Sequence, residues 1–335
     1  MPTPQTNSTL SEIAELIMTL DDFVICGHVN PDGDCLGSQL AFYHALRKLG
    51  KRATCVLAKP DPIDVNLRFL PEIDSMVPAA EFTGRVGCFL SVDVPTVERM
   101  ETAGALHDAA DVRIALDHHA SDKAIAEYTY VDPDSPSASM IAWDVVTLLD
   151  AVTPESALCA MTGLFTDTGR FAYQNTTTEA FLAAAAMMEA GADPALICRE
   201  AFQNRTRASL ELERIVLERM RVVHDGEFSF SYLSQADFDE VGAIKADAEP
   251  LVNLLRSVSG VRVALILREV NESEVRGSLR AKDDTDVSVV ARSYGGGGHR
   301  AAAGFTFKGS LEAACTQVPA AVEAMCLAGE GGQIG

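Results

Sequence analysis

Phe23-Val-Ile-Cys26-Gly27-His28-Val-Asn-Pro-Asp32-Gly-Asp34-Cys-Leu-Gly37-Ser38 passes from four apolar residues through a polar turn into a helix. The apolar run predicts a short buried strand, and the helix runs from about Cys35 to Leu49, with Gly50 placed to stop it. A strand that feeds a helix through such a turn is an entry into an α/β fold, whose sheets bind ligands at the carboxyl ends of their strands. His28, Asp32 and Asp34 are hard or borderline donors suited to manganese, iron or magnesium. Pro31 and Gly33 bend the chain so that the neighbouring carboxylates converge rather than alternate. A helix-capping turn would account for one of the aspartates, but not for a histidine and two of them.

Outward from this segment, the same rhythm repeats. Thr9-Leu-Ser-Glu12 reads as a capping box that opens a helix reaching about Leu20. Ala53–Ala58, Val86–Val92 and Val112–Leu116 are compact apolar runs that predict buried strands. Helices are expected over Ser137–Leu149, Glu155–Phe165 and Thr178–Ala190, which makes the first half a mostly parallel sheet flanked by helices. A helix from about Ser209 to Val223 leads into a second α/β pattern. Its strands are expected at Phe228–Leu233, Val261–Leu267, Val275–Arg280 and Phe305–Phe307, and its helices near Glu249–Ser257, Val287–Tyr294 and Leu311–Met325. The division predicted is a domain over 1–195, a helical linker over 196–225 and a smaller α/β domain over 226–335, with the tail from Gly329 frayed.

The bulk numbers narrow the function. With 335 residues, 47% hydrophobic and 22% charged, the chain is that of an ordinary globular protein of two domains. No apolar run reaches the roughly 20 residues of a membrane span, no signal peptide is visible, and cytoplasm is the expected compartment. Eight scattered cysteines form no C-x-x-C pair, so buried reduced thiols are expected. A net charge of −21 argues against binding long nucleic acid. The charge is uneven: Arg256 to Lys308 carries nine basic against six acidic residues, a local +3 where a small anion can bind.

Two further apolar strands end on acidic residues, Asp93 after Ser91-Val92 and Asp117-His118-His119 after Leu116. One Asp at a strand end is commonly a turn residue, but parallel strands bring successive ends together. Asp167 closes an apolar helix, where the negative end of the helix dipole disfavours it unless a cation is near. Asp32, Asp34, Asp93, Asp167, His28 and His118 suffice for two metals sharing a carboxylate, an arrangement that suits phosphoryl transfer with ions roughly 3.5–4 Å apart. Further along, Gly295-Gly-Gly-Gly-His299-Arg300 lets backbone N–H groups approach an anion, with two side chains beside it to assist. A flexible hinge is the plainer reading of these glycines, though hinges usually bring polar neighbours. Ser137 and Ser139 read as site-lining residues or as a helix cap, Arg170 and Phe171 as substrate contacts or packing, and His44, His107 and Trp143 as structural.

These segments resemble the successive motifs of the DHH phosphoesterase superfamily: the H-x3-D-x-D of His28, Asp32 and Asp34, the strand-end Asp93, and the Asp117-His118-His119 triplet. Gly295 to Gly304 resembles the glycine-rich signature of the DHHA1 domain. Order, spacing and length are similar to the nanoRNase / pAp phosphatase (NrnA-type) branch, from about residue 10 to 327. The resemblance implies one metal held by His28, Asp32 and Asp93, a second by Asp34, Asp93, His118 and Asp167, and Asp93 bridging. It implies that His119 acts on the scissile phosphate or the leaving oxygen, and that Asp117 orients a histidine from behind. Two divalent cations are implied, manganese first, with magnesium or cobalt as alternatives. Substrate would be held by Gly296, Gly297, Gly298, His299 and Arg300, with Ser278 and Arg280 of an S-L-R strand end on a further phosphate.

The activity so implied is hydrolysis of short oligoribonucleotides to mononucleotides, or of 3′-phosphoadenosine 5′-phosphate (pAp) to AMP. A cyclic-dinucleotide phosphodiesterase acting on c-di-AMP or its linear product is the sibling reading. A manganese-dependent pyrophosphatase is disfavoured by the second-domain signature, and a RecJ-type exonuclease by length and charge. A nucleotide-binding regulator with a decayed site is disfavoured because every ligand position is filled. The resemblance is compatible with a homodimer.

Overall fold

The computed structural model describes residues 5–60, 63–121 and 123–327, and of His299 the backbone alone. The expected frayed tail lies outside the described residues. The chain forms two compact units, Met1–Asn204 and Arg205–Gly335.

In the first unit α1 (Leu10–Thr19) starts on the Thr9–Glu12 capping box, and β1 (Phe23–Cys26) leads into α2 (Gly33–Lys48). There follow β2 (Ala53–Leu57), the two-residue β3 (Val77–Pro78), β4 (Cys88–Val92), α3 (Gly104–Ala109), β5 (Val112–Asp117) and β6 (Tyr128–Val131). Then come α4 (Ala138–Leu148), α5 (Pro154–Asp167), α6 (Thr178–Glu189) and the short α7 (Pro194–Ile197). The six strands lie in the order β3-β2-β1-β4-β5-β6, and all pairs are parallel. Alternation sorts their side chains: Phe23, Ile25 and Leu90 join the large core beneath α1, α2, α4 and α5. Val24, Cys26 and Phe89 join a smaller core on the other face. The strand order reverses direction between β1 and β4, and such a switch point leaves a crevice at the carboxyl ends of both strands.

In the second unit α8 (Arg207–Arg219) is followed by β7 (Arg221–Val223), β8 (Phe228–Leu233), α9 (Gln235–Val241) and α10 (Leu251–Arg256). The long pair β9 (Val263–Asn271) and β10 (Glu274–Ala281) comes next, then α11 (Ser288–Ser293), β11 (Gly297–His299), β12 (Ala302–Lys308) and α12 (Leu311–Val322). The sheet runs β11-β12-β10-β9-β8-β7 and is mixed, with only β8 and β9 parallel. One face buries Leu265, Leu267, Val275, Leu279 and Phe305 with residues of α11 and α12. The other buries Ala264 and Ile266 against Leu212, Ile215 and Val216 of α8 and Leu251, Val252 and Leu255 of α10. The stretch expected as a linker is thus divided, and α8 is a core element of the second unit. The expected helix to Val223 stops at Arg219, because β-branched Val222 and Val223 extend and pair with β8. Among the described residues no single helix is long and apolar enough to cross a membrane.

Candidate metal centre

Each acidic or imidazole group predicted from the first half stands at an element end facing the crevice between β1 and β4. Asp32 caps α2: its Oδ1 accepts from the backbone N–H of Asp34 at 3.1 Å and of Cys35 at 3.0 Å. The other oxygen, Oδ2, lies 3.8 Å from His28 Nε2. Capping and ligation therefore use different oxygens of one carboxylate. Asp34 caps a different helix, accepting from the N–H groups of Ala138 (2.7 Å) and Ser139 (2.8 Å) at the start of α4. Ser137 is the N-cap of α4, and the Ser139 hydroxyl donates to the Asp34 carbonyl at 3.1 Å. Of the two serines read as cap or lining, Ser139 holds Asp34 in place and Ser137 caps α4.

Asp93 follows β4 with φ +53°, a left-handed conformation rare for a residue with a Cβ and typical of functional sites. Its N–H donates to Leu116 O of β5 at 3.1 Å, which fixes the carboxylate between two groups of residues. Oδ2 lies 3.3 Å from His28 Nε2. Oδ1 lies 3.4 Å from His118 Nε2, which is in turn 3.7 Å from Asp34 Oδ2 and 3.6 Å from Asp167 Oδ2. Asp117 accepts at Oδ1 from the N–H of His118 (2.8 Å), the N–H of His119 (3.1 Å) and His119 Nδ1 (2.9 Å). His119 Nδ1 is also 3.3 Å from Asp93 Oδ1, so it lies within ligand reach as well.

The electrostatics fit a cation. Among the described residues Asp93 Oδ1 is buried without an aligned hydrogen bond, a costly state for a carboxylate unless an ion joins it. Burial opposes charge on His28, yet Asp32 and Asp93 raise its pKa to about 11. His118 is raised well above its usual value, again against burial, by Asp93 and Asp34. Burial, then the neighbouring carboxylates, push Asp34 up to about 7 and Asp167 well above the ordinary range. Despite burial, His118 and His28 hold Asp93 well below that range. Protons thus collect where four carboxylates converge, and divalent cations would displace them. Cys35 Sγ is also in reach of His28 and Asp93. Burial raises its thiol well above the usual range and it donates to His28 O at 3.8 Å, so it stays a neutral packing group.

The second-unit residues fall into three places. Gly297, Gly304 and Ser278 form one cross-strand row over β11, β12 and β10, and His299, Ala302 and Arg280 form the next. The glycine run is edge strand, not hinge. A Cβ on Gly296 would meet Gly304 O at 2.2 Å and one on Gly298 would meet Ala302 O at 2.5 Å, whereas Gly297 has nothing within 4 Å. Gly296 and Gly298 are therefore required by strand approach, while Gly297, like Gly295, leaves open space. Arg300 turns away from these rows: its Nε donates to the Asp284 carbonyl, and its side chain lines a cleft with Arg262, Asp283 and Asp286. Arg170 stacks over Phe202 at 4.7 Å, and Phe171 packs on Phe165 and Phe181, so both pack against their own unit.

The model of the DHH family, N-terminal domain, matches residues 22–164, and that of the DHHA1 domain matches 229–326. A protein of Thermus thermophilus named bifunctional oligoribonuclease and PAP phosphatase NrnA is 31% identical over 92% of this chain and 91% of its own. The chain belongs to the DHH family of phosphoesterases. An NrnA of Mycoplasma genitalium is 25% identical to this DHH protein over 88% of the chain and 92% of its own. The crystal structure of an exopolyphosphatase-related protein from Bacteroides fragilis matches it with a TM-score of 0.88 at 25% identity, covering 94% of this chain and 95% of the other.

One charged residue of the DHHA1 unit escaped the sequence reading. Arg268, in the middle of apolar β9, is 7% exposed and contacts Ser278. Its only signal in the sequence is a charge set directly after the apolar run Val263–Leu267.

Proposed function

We propose that this DHH protein hydrolyses short oligoribonucleotides to mononucleotides and pAp to AMP, using two divalent cations, manganese first. The observation that carries the reading is the division of Asp93, with Oδ2 toward His28 and Asp32 and Oδ1 toward His118, Asp34 and Asp167. One cation would be held by His28, Asp32 and Asp93, the other by Asp34, Asp93, His118 and Asp167. When bound, such a pair supplies Lewis acidity at the phosphoryl oxygens and at the attacking water.

The chain's own residues do the rest. Asp117 accepts from His119 Nδ1, which orients the ring and leaves its other nitrogen for the scissile phosphate or the leaving oxygen. The backbone N–H groups of Ala138 and Ser139 keep Asp34 turned into the site. Ser278, Arg280 and the open row at Gly297 bind phosphate or sugar away from the scissile bond. The acidic chain repels long polyanions, which favours short substrates. Eight unpaired cysteines are in keeping with the reducing cytoplasm.

A side-by-side assay with manganese tests the reading, using a dinucleotide, pAp, a cyclic dinucleotide and pyrophosphate. Release of mononucleotide from the first and phosphate from the second is expected. Preference for the cyclic substrate would move the chain to the sibling activity, and cleavage of pyrophosphate alone would overturn the assignment of the second unit.

A further inference from the structure

Arg268 stands directly opposite Arg276 in the β9–β10 register, and alternation puts both on the face that carries Ser278 and Arg280. Like charges directly opposite each other weaken a sheet pair. Arg268 is also nearly inaccessible, at 7% exposure, and arginine is rarely buried without full pairing. Its pairing is incomplete. Nη1 donates to Glu249 Oε1 at 2.7 Å and Nη2 to Ser278 Oγ at 3.3 Å, while the buried Nε has no partner among the described residues.

The contact with Ser278 has a consequence for the hydroxyl. A serine oxygen offers one donor and two acceptor directions. Arg268 occupies an acceptor direction, and among the described residues Ser278 Oγ donates to none. Beyond it in the same row lie Gly304 and Gly297, so the row itself adds no side chain beside the hydroxyl. A Cβ placed on Gly297 would meet nothing within 4 Å.

We propose that Arg268 is a positioning residue that turns Ser278 into a hydrogen-bond donor and, with Arg276, completes a site for a non-scissile phosphomonoester of the substrate. The bound oxygens accept from the Ser278 hydroxyl and relieve the repulsion between the two arginines. The site rests on the nucleotide-hydrolase reading but is tested without turnover.

The test titrates the full chain, stripped of metal so that the acidic centre cannot hold phosphate, with AMP and with adenosine. Wild type binds AMP more tightly than adenosine. Arg268→Gln weakens AMP about tenfold and leaves adenosine unchanged, as loss of a charged hydrogen bond predicts. Arg268→Lys recovers part of the loss, and Ser278→Ala adds little on top of Arg268→Gln. In the metal-loaded enzyme Arg268→Gln raises KM for pAp with kcat unchanged. Equal loss of both ligands with a lowered melting temperature would make Arg268 a purely structural partner of Glu249 and overturn the proposal. Wild type that does not prefer AMP would overturn it too. If Arg268→Gln does not fold, exposed Arg276→Gln takes its place, and an unchanged AMP affinity there counts against the site. Absence of metal-dependent turnover would instead defeat the activity reading, whatever the titrations show.

Discussion

Asp117 is the residue whose role the sequence left least defined. Its Oδ1 accepts three hydrogen bonds from the histidine pair, one of them from His119 Nδ1, and its Oδ2 is buried without a partner among the described residues. Asp117→Asn keeps the shape but replaces an anionic acceptor, so kcat should fall about 10- to 100-fold while two equivalents of metal remain. Metal analysis beside steady-state kinetics checks both halves of that statement. Six ligand candidates were legible because each stands at the end of an apolar element or in the polar turn that follows one, and sheet topology gathers such ends. Arg300 was not, although it adjoins the glycines. It lies in the turn between β11 and β12, where its Nε donates to the Asp284 carbonyl, so proximity in sequence to Gly297 did not bring its side chain to the row of Ser278. Arg268 was hidden for the same reason: its meaning depends on the β9–β10 register, which no local pattern states.

Helix packing sets the precision of the centre. At the crossing of α5 with α2 and α4, a Cβ on Gly163 would lie 1.9 Å from Ser139 Oγ and 2.7 Å from Asp34 Oδ1. Gly163→Ala must therefore move α4 or the carboxylate that caps it. The expected cost is about 1–3 kcal/mol, as for overpacking in a tight core. Thermal unfolding reads that cost, and weaker metal binding should accompany it. Alanine at Gly50, where φ is +74° and nothing lies within 4 Å, should cost stability alone. The main helices and strands were legible from periodicity and caps, and their ends shift by a residue or two. The two-residue β3 and the four-residue β6 were not, since so short a run gains its identity from the neighbour it pairs with.

At the scale of the molecule, two α/β units were readable from the change of rhythm, but the break falls after Asn204, before the helix taken as a linker. The seal of that helix onto the second unit includes a forked ion pair, Arg219 Nη1 and Nη2 to Asp237 at 2.6 and 2.8 Å. Burial works against the charge on Asp237, but Arg219 and the Ser234 N–H hold its pKa below the usual value. A depressed carboxylate contributes stability that is present above its unfolded pKa and lost as pH falls through the folded one. Asp237→Asn should therefore lower the melting temperature most near neutral pH and least below about pH 3, as paired unfolding scans would show.

The bridging role of Asp93 is tested most directly by metal content and turnover of Asp93→Ala beside wild type. Two bound equivalents in wild type, loss of both in the variant and abolished hydrolysis of pAp are predicted. An Asp93→Ala enzyme with wild-type metal content and turnover would contradict the account.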